Sequence, residues 1–205
     1  MRAKELERLL STFSPFGPSE LDMRSRRLRE SGLLPNTGRG RGSPDLTPQQ
    51  AANIIIGLGA SERADLAGAA VVLYSTLKPS SGEKWGFAGC ETVGKLVTSI
   101  LEDWENKWGI ETLSICRSWP MVTLSLTDKP DFRYGYDQAA DAKKDGFSTY
   151  PIRQEMVFNA GVLTQIALEL QPEPEYERGG FAGEGGMEQK LEEIRAAQKK
   201  AQKGM

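Results

Sequence analysis

Histidine is absent from the 205-residue chain. Its absence removes the commonest general base, the commonest zinc ligand and the usual pH sensor. Cysteine is nearly absent: Cys90 and Cys116 are the only two, and they form no CxxC pair. Two isolated cysteines read as small buried apolar residues rather than as a disulfide or metal site. No run of about 18 apolar residues occurs, so no helix is expected to span a membrane. The opening MRAKELERLL is charged and amphipathic and lacks the apolar core of a secretory signal, so the expected location is the cytoplasm. Nucleotide-binding signatures are missing as well. The GxG patterns at 38–42 and 57–59 neither follow a strand nor continue as GxGxxG or GK[ST], and no GxSxG nucleophile elbow is present. Asp128, Asp131, Asp137, Asp141 and Asp145 lack EF-hand spacing and read as solvated loop acids. The expectation is a protein that is not an enzyme and takes no cofactor and no metal.

What is present is an uneven distribution of charge. Formal net charge is −2, yet Arg24 to Ser43 holds six arginines (Arg24, Arg26, Arg27, Arg29, Arg39, Arg41) against the single acid Glu30. Polyanions respond to such a local patch rather than to the molecular net charge. Hydrophobic residues make up 39% and glycines number 22, which suits a real core joined by a good deal of irregular chain.

Periodicity organises the chain into four parts: a helical domain over 1–77, a linker over 78–89, an α+β domain over 90–170 and a charged tail over 171–205. Leu6, Leu9, Leu10 and Phe13 recur at helical spacing and predict a helix over 3–14. Ser14-Pro15-Phe16-Gly17-Pro18 breaks the chain. A second helix is expected from Glu20 to Ser31, opened by Ser19 and closed by Gly32. Residues 35–46, with three glycines and two prolines, predict a wing-like loop. Thr47 and Pro48 predict the cap and first position of a third helix through Ala51, Ile54, Ile55 and Leu58, with Gly57 and Gly59 weakening its end. A fourth helix over 62–77 is expected to turn Leu66, Ala69, Ala70, Leu73 and Leu77 inward. The Lys-, Ser-, Pro- and Gly-rich stretch 78–89 reads as the domain boundary. Beyond it Thr92–Trp108 reads as a helix, with Val93, Leu96, Val97, Ile100, Leu101 and Trp104 inward. Alternation over Glu111–Cys116, Met121–Leu126, Asp131–Tyr136 and Tyr150–Phe158 then predicts strands. Residues 137–148 read as a loop and Ala160–Leu170 as a closing helix. Helix, antiparallel meander and helix together predict an α+β unit. Trp119-Pro120 reads as a turn whose tryptophan packs rather than binds a ligand. In the tail, 187–203 carries glutamate first and lysine last, the order a helix dipole favours.

The second helix carries the chemistry. Arg24 and Arg27 fall near one face, Arg26 and Arg29 on a neighbouring arc, and Met23 and Leu28 are expected inward. An exposed arginine cluster repels itself unless anions are near, and guanidinium forks match phosphates and guanine edges. A helix of this length fits the major groove. Arg39 and Arg41 on a flexible arm beside it would reach a phosphate or the minor groove. Taken alone, such a helix also reads as a solvated charged face.

The run R-R-L-R-E-S-G-L-L-P at Arg26–Pro35, the basic glycine loop and L-T-P-Q-Q-A at Leu46–Ala51 together resemble the DNA-binding domain of MerR-type regulators and related phage winged-helix proteins. Gly32-Leu33-Leu34-Pro35 matches that family's recognition-helix exit. Arg26 falls where the family has a phosphate-contacting arginine, Leu28 at an aromatic core position, Arg39 and Arg41 in the wing, and Thr47 at the next helix start. Ser25 stands where an apolar residue is usual and Arg29 where an acid is usual, and the wing lacks the aromatic and arginine ending. The resemblance covers residues 1–60 and implies a winged helix-turn-helix domain; together with the arginine cluster of the second helix, the expected DNA-contacting set is Arg24, Arg26, Arg27, Arg29, Asn36, Arg39 and Arg41. The long dimerisation helix and effector cysteines of the family are absent, so metal sensing is not implied.

The expected whole is a cytoplasmic, α+β, homodimeric protein that binds double-stranded DNA and acts as a transcriptional regulator. A phage-type packaging or recombination accessory uses the same head. A protein-interaction or structural module is the alternative from another class.

Overall fold

Thr47 and Pro48 start a helix as the sequence predicts. In the computed structural model, which describes residues 1–36, 44–80, 86–103, 105–135 and 154–171, the Thr47 hydroxyl accepts from the Gln50 N–H and the Gln50 side chain accepts from the Thr47 N–H. This reciprocal box satisfies two otherwise unpaired donors. The wing residues Arg39 and Arg41, Trp104, the loop expected at 137–148 and the tail from 172 onward lie outside the described residues.

That helix, α3 (Pro48–Ala60), carries no charged side chain, and every residue from Ala51 to Ala60 is buried. A helix apolar on all sides belongs inside a protein. Against it pack α2 (Pro18–Glu30), α4 (Ala67–Ser75) and α5 (Val93–Glu102), while α1 (Ala3–Phe13) packs on α2 and α6 (Ala160–Leu170) on α5. Gly57 and Gly59 do not fray α3. They let its neighbours approach: a Cβ at Gly59 would stand 2.6 Å from Ile115 Cδ1, and one at Gly57 3.2 Å from Val71 Cγ2.

α2 begins two residues earlier than Ser19 would set it, with Gly17 at the cap and Pro18 at the first position, where proline's missing N–H costs nothing. Gly32 ends it in the left-handed region at φ 71. The Leu33 N–H donates to the Leu28 carbonyl and the Gly32 N–H to the Arg29 carbonyl, each at 2.9 Å, the paired bonds of a Schellman stop.

The sheet contains β1 (Ile110–Cys116), β2 (Met121–Leu126), β3 (Lys129–Gly135) and β4 (Glu155–Asn159), all antiparallel, in the order β3-β2-β1-β4. The expected meander holds for β1 to β3. β4 returns to lie beside β1, which is a Greek-key order. The cross-strand register pairs Leu113 with Leu124 and Phe158, and Ile115 with Val122 and Met156, and these form the inner face. Thr112, Ser114, Thr123 and Ser125 occupy the outer face, as the strand period of two requires. Asn159 closes β4 and caps α6, its side chain accepting from the Val162 N–H at 3.0 Å.

The division expected at 78–89 is not found. Residues 1–171 form one compact unit, and a single apolar cluster runs from Ala3 to Leu170. Polar composition suggested a linker, but its backbone is committed. The Gly135 N–H donates to the Lys78 carbonyl at 2.7 Å and the Ser80 N–H to the Arg133 carbonyl at 2.9 Å, which extends the sheet at the β3 edge. Phe87 is buried against Trp108 and Phe132, with ring centroids 5.4 and 5.3 Å apart. The Tyr134 hydroxyl donates to the Cys90 carbonyl. From the other side, the Tyr74 hydroxyl on α4 donates to the carbonyls of Cys116 (2.6 Å) and Trp119 (3.0 Å), and burial pushes its pKa up to about 12, so it stays a donor. Cys90 and Cys116 are free and buried. Among the described residues no helix is long and apolar enough to cross a membrane.

Two faces differ from expectation. Met23 on α2 is exposed rather than inward. The segment expected as one helix over 62–77 is a short 3-10 turn, Ala64–Leu66, followed by α4, which buries Ala67, Gly68, Val71 and Tyr74 and leaves Leu66, Val72 and Leu73 outside.

Candidate nucleic-acid interface

The arginines of α2 divide into two sets. Arg24 is 3% exposed and does not join an outward cluster. Its Nη1 donates to the Gly57 carbonyl (3.2 Å), the Ser61 carbonyl (3.0 Å) and the Ser61 hydroxyl (2.6 Å). Its Nη2 donates to the Glu62 carbonyl (2.9 Å) and to Glu20 (2.8 Å). Phe16 lies under the guanidinium at 4.7 Å. Arg24 is thus spent on the C-terminal end of α3, where unpaired carbonyls and the negative pole of the helix dipole favour a cation.

A second guanidinium completes this cap. Arg117, just past β1, donates from Nε to the Gly59 carbonyl and from Nη2 to the Leu58 carbonyl, both at 3.0 Å, with Phe16 5.4 Å away. Burial lowers its pKa from the ordinary arginine value, and the neighbouring Arg24 charge adds to the drop. Nothing in the local sequence around Arg117 marks this role, because its partners lie more than 50 positions away.

Arg26 and Arg27 remain on the surface. Arg26 pairs with Asp22 at 3.1 Å and Arg27 with Glu30 at 2.7 Å. Exposed pairs of this kind contribute about 0–1 kcal/mol, so a phosphate competes with either acid at little cost. The outer face of α2 is nonetheless electrically balanced, two arginines against Asp22 and Glu30, not the basic stripe that the arginine count suggested.

Arg29 turns toward α1, 3.9 Å from the buried Glu7. Glu7 Oε1 has no hydrogen-bond partner among the described residues, and Ser25 is buried beside it. Burial raises the Glu7 pKa from its ordinary value of 4.5; the Ser25 hydroxyl opposes this, Asp22 adds to it, and Arg29 and Lys4 oppose it. The folded chain therefore holds a proton on Glu7 at pH values where the unfolded chain has lost it. Stability falls as pH climbs from 4.5 through the raised value. Glu7→Gln removes this group, so its urea midpoint should decline less than that of the parent over the same interval. Parallel curves for the two proteins would show that Glu7 carries no such linkage.

Asn36 is exposed at the exit of α2. The Asn53 amide on α3 donates to the Leu33 carbonyl at 3.0 Å. On the far side of the loop, the Leu46 N–H donates to the Met1 carbonyl at 2.8 Å, and Arg2 bridges Asp45 in antiparallel fashion. In sequence, Arg39 and Arg41 fall between Leu34 and Leu46, both of which are buried. Around these anchors stand exposed Arg2 and Lys4, offset by Glu5 and Asp45. The local positive excess rests on the loop arginines.

Among the described residues no group of three or more His, Cys, Asp or Glu side chains could hold a metal. Comparison with family models, with curated proteins and with solved structures finds no match to this chain.

Proposed function

We propose that this protein binds duplex DNA through the basic loop around Arg39 and Arg41, assisted by Arg26, Arg27 and Asn36, and that it serves as a transcriptional regulator. A phage-type packaging or recombination accessory would use the same contact. One observation carries the reading. The first 44 residues hold nine Lys and Arg against five Asp and Glu, while the whole chain has a net charge of −2. The loop at the centre of that excess is held at both ends by buried leucines. A short basic arm on a fixed base can track a phosphate backbone without ordering a long segment. Arg24 leaves the DNA-contacting set because its donors are already used inside the fold, and Arg29 is directed to Glu7.

Counterion release sets the test. Binding of a fluorescent duplex by the full chain should weaken log-linearly with salt. Arg26→Ala and Arg41→Ala should each lower the slope by about one phosphate contact, with a loss of about 1–3 kcal/mol where a base edge is contacted. Absence of binding at low salt, or binding indifferent to salt, would rule the reading out.

The outer face of α4 favours a protein contact as well, and this second reading is compatible with the first.

A further inference from the structure

α4 has two apolar faces. The inner one packs on α3. The outer one presents Leu66 (50% exposed), Val72 (58%) and Leu73 (53%), with Ala69 exposed and Ala70 and Leu77 half-buried between them. No charged side chain occurs from Leu66 to Leu77. Single exposed apolar residues are ordinary, but an uncharged apolar surface over α4 and the residues that flank it marks a contact surface. Apart from Val72, these are the positions whose spacing suggested a core-facing stripe, and this second face lacks a cover within the described residues.

We propose that this stripe is a twofold contact with a second copy of the chain, the two α4 helices packed antiparallel. The charges at the ends of the stripe specify this occupant. At the N-terminal end stand Glu62, Arg63 and Asp65, a net negative group in which Arg63 holds Asp65 at 2.8 Å. At the C-terminal end stands exposed Lys78. Antiparallel pairing brings the acidic end of each helix to Lys78 of the other copy and opposes the two helix dipoles favourably; parallel pairing would set like charge against like. With Asp65 opposite Lys78, the axis passes beside Val72. Leu66 then meets Leu77 of the second copy, and Leu73 meets Ala70, a large-against-small fit that allows close packing. The interface is isologous, so one patch supplies both halves. An uncharged stripe offers nothing to a phosphate backbone, and the inference stands independently of the DNA-binding reading.

A single helix pair is small, so association should be concentration-dependent rather than permanent. Sedimentation velocity of the full chain should show monomer passing to dimer as concentration rises. Leu73→Glu should weaken dimerisation by about tenfold or more, because it buries a charge in the contact. Val72→Cys should form a disulfide-linked dimer under mild oxidation, since the native cysteines are buried. Asp65→Lys and Lys78→Asp should each weaken the dimer, and the double exchange should restore it. A chain that remains monomeric at every concentration, or a dimer untouched by Leu73→Glu, overturns the proposal. The face would then belong to another occupant. Duplex binding measured on the same samples reports separately on the DNA reading.

Discussion

Replacing Arg24 by alanine is expected to destabilise the protein by about 3–5 kcal/mol, the cost of breaking a buried charged network by removing one partner. The side chain gives up hydrogen bonds to the carbonyls of Gly57, Ser61 and Glu62 and to the Ser61 hydroxyl, all at 3.2 Å or less. Those carbonyls end a helix whose last residues are buried, so water reaches them poorly and their loss of partners is not readily made good. Glu20 loses its counter-charge, and Phe16 loses the cation above its ring, a contact of about 0.5–2 kcal/mol. Arg24→Lys should recover little, because one ammonium cannot reach acceptors spread over Gly57, Ser61 and Glu62 in the plane of a guanidinium. Arg117→Ala should cost less: Arg117 is only half-buried and donates to two carbonyls. Urea unfolding of the three variants checks the ranking. An Arg24→Ala loss below about 1 kcal/mol, in the range of an exposed pair, would show that the cap does not carry the weight given to it.

Arg24 also shows where sequence reading reaches and where it stops. Local rules placed most elements. Thr47-Pro48 announced α3, Gly32 the end of α2, and the change to a period of two announced β1 and β2. Each of those signals is satisfied by partners within a few residues. The fate of Arg24 is decided by carbonyls 33 to 38 positions away, which composition and spacing cannot register. α4 failed for a different reason. With apolar residues on both faces, periodicity has no basis for choosing the inner one, and tertiary packing chose Ala67, Val71 and Tyr74. The stretch 78–89 has the composition of a linker, yet Lys78 and Ser80 bind the β3 edge through their backbones, and backbone groups leave no trace in side-chain chemistry. For the candidate interface, the sequence located the charge excess. It could not separate Arg26 and Arg27, free to exchange partners, from Arg24, which is not.

The fragment 1–77, expected from sequence to be a self-contained DNA-binding head, should not fold alone. α3 is its centre, and much of what covers α3 comes from later in the chain. Ile115 fills the space above Gly59, Arg117 satisfies the carbonyls of Leu58 and Gly59, α5 packs along its length, and Thr98 donates to Gln49 near its start. Tyr74 would lose both of its acceptors. Each large apolar side chain stripped of cover forfeits about 1.5–3 kcal/mol, against a net stability of about 5–15 kcal/mol for a whole domain. Exposing a few of Ile54, Ile55, Ile56 and Leu58, buried in the full chain, is therefore enough to cancel folding. The full chain should melt in a single cooperative transition, whereas the fragment should show no cooperative melt, collapsed amide dispersion and binding of an apolar dye. A sigmoidal melt and dispersed spectrum for 1–77 would restore the two-domain division and require the contacts across α3 to be dispensable. The outcome also governs how DNA binding is tested. If the fragment is unfolded, its failure to bind a duplex says nothing about the loop, and the decisive comparison is between intact chains that differ only at Arg26 or Arg41.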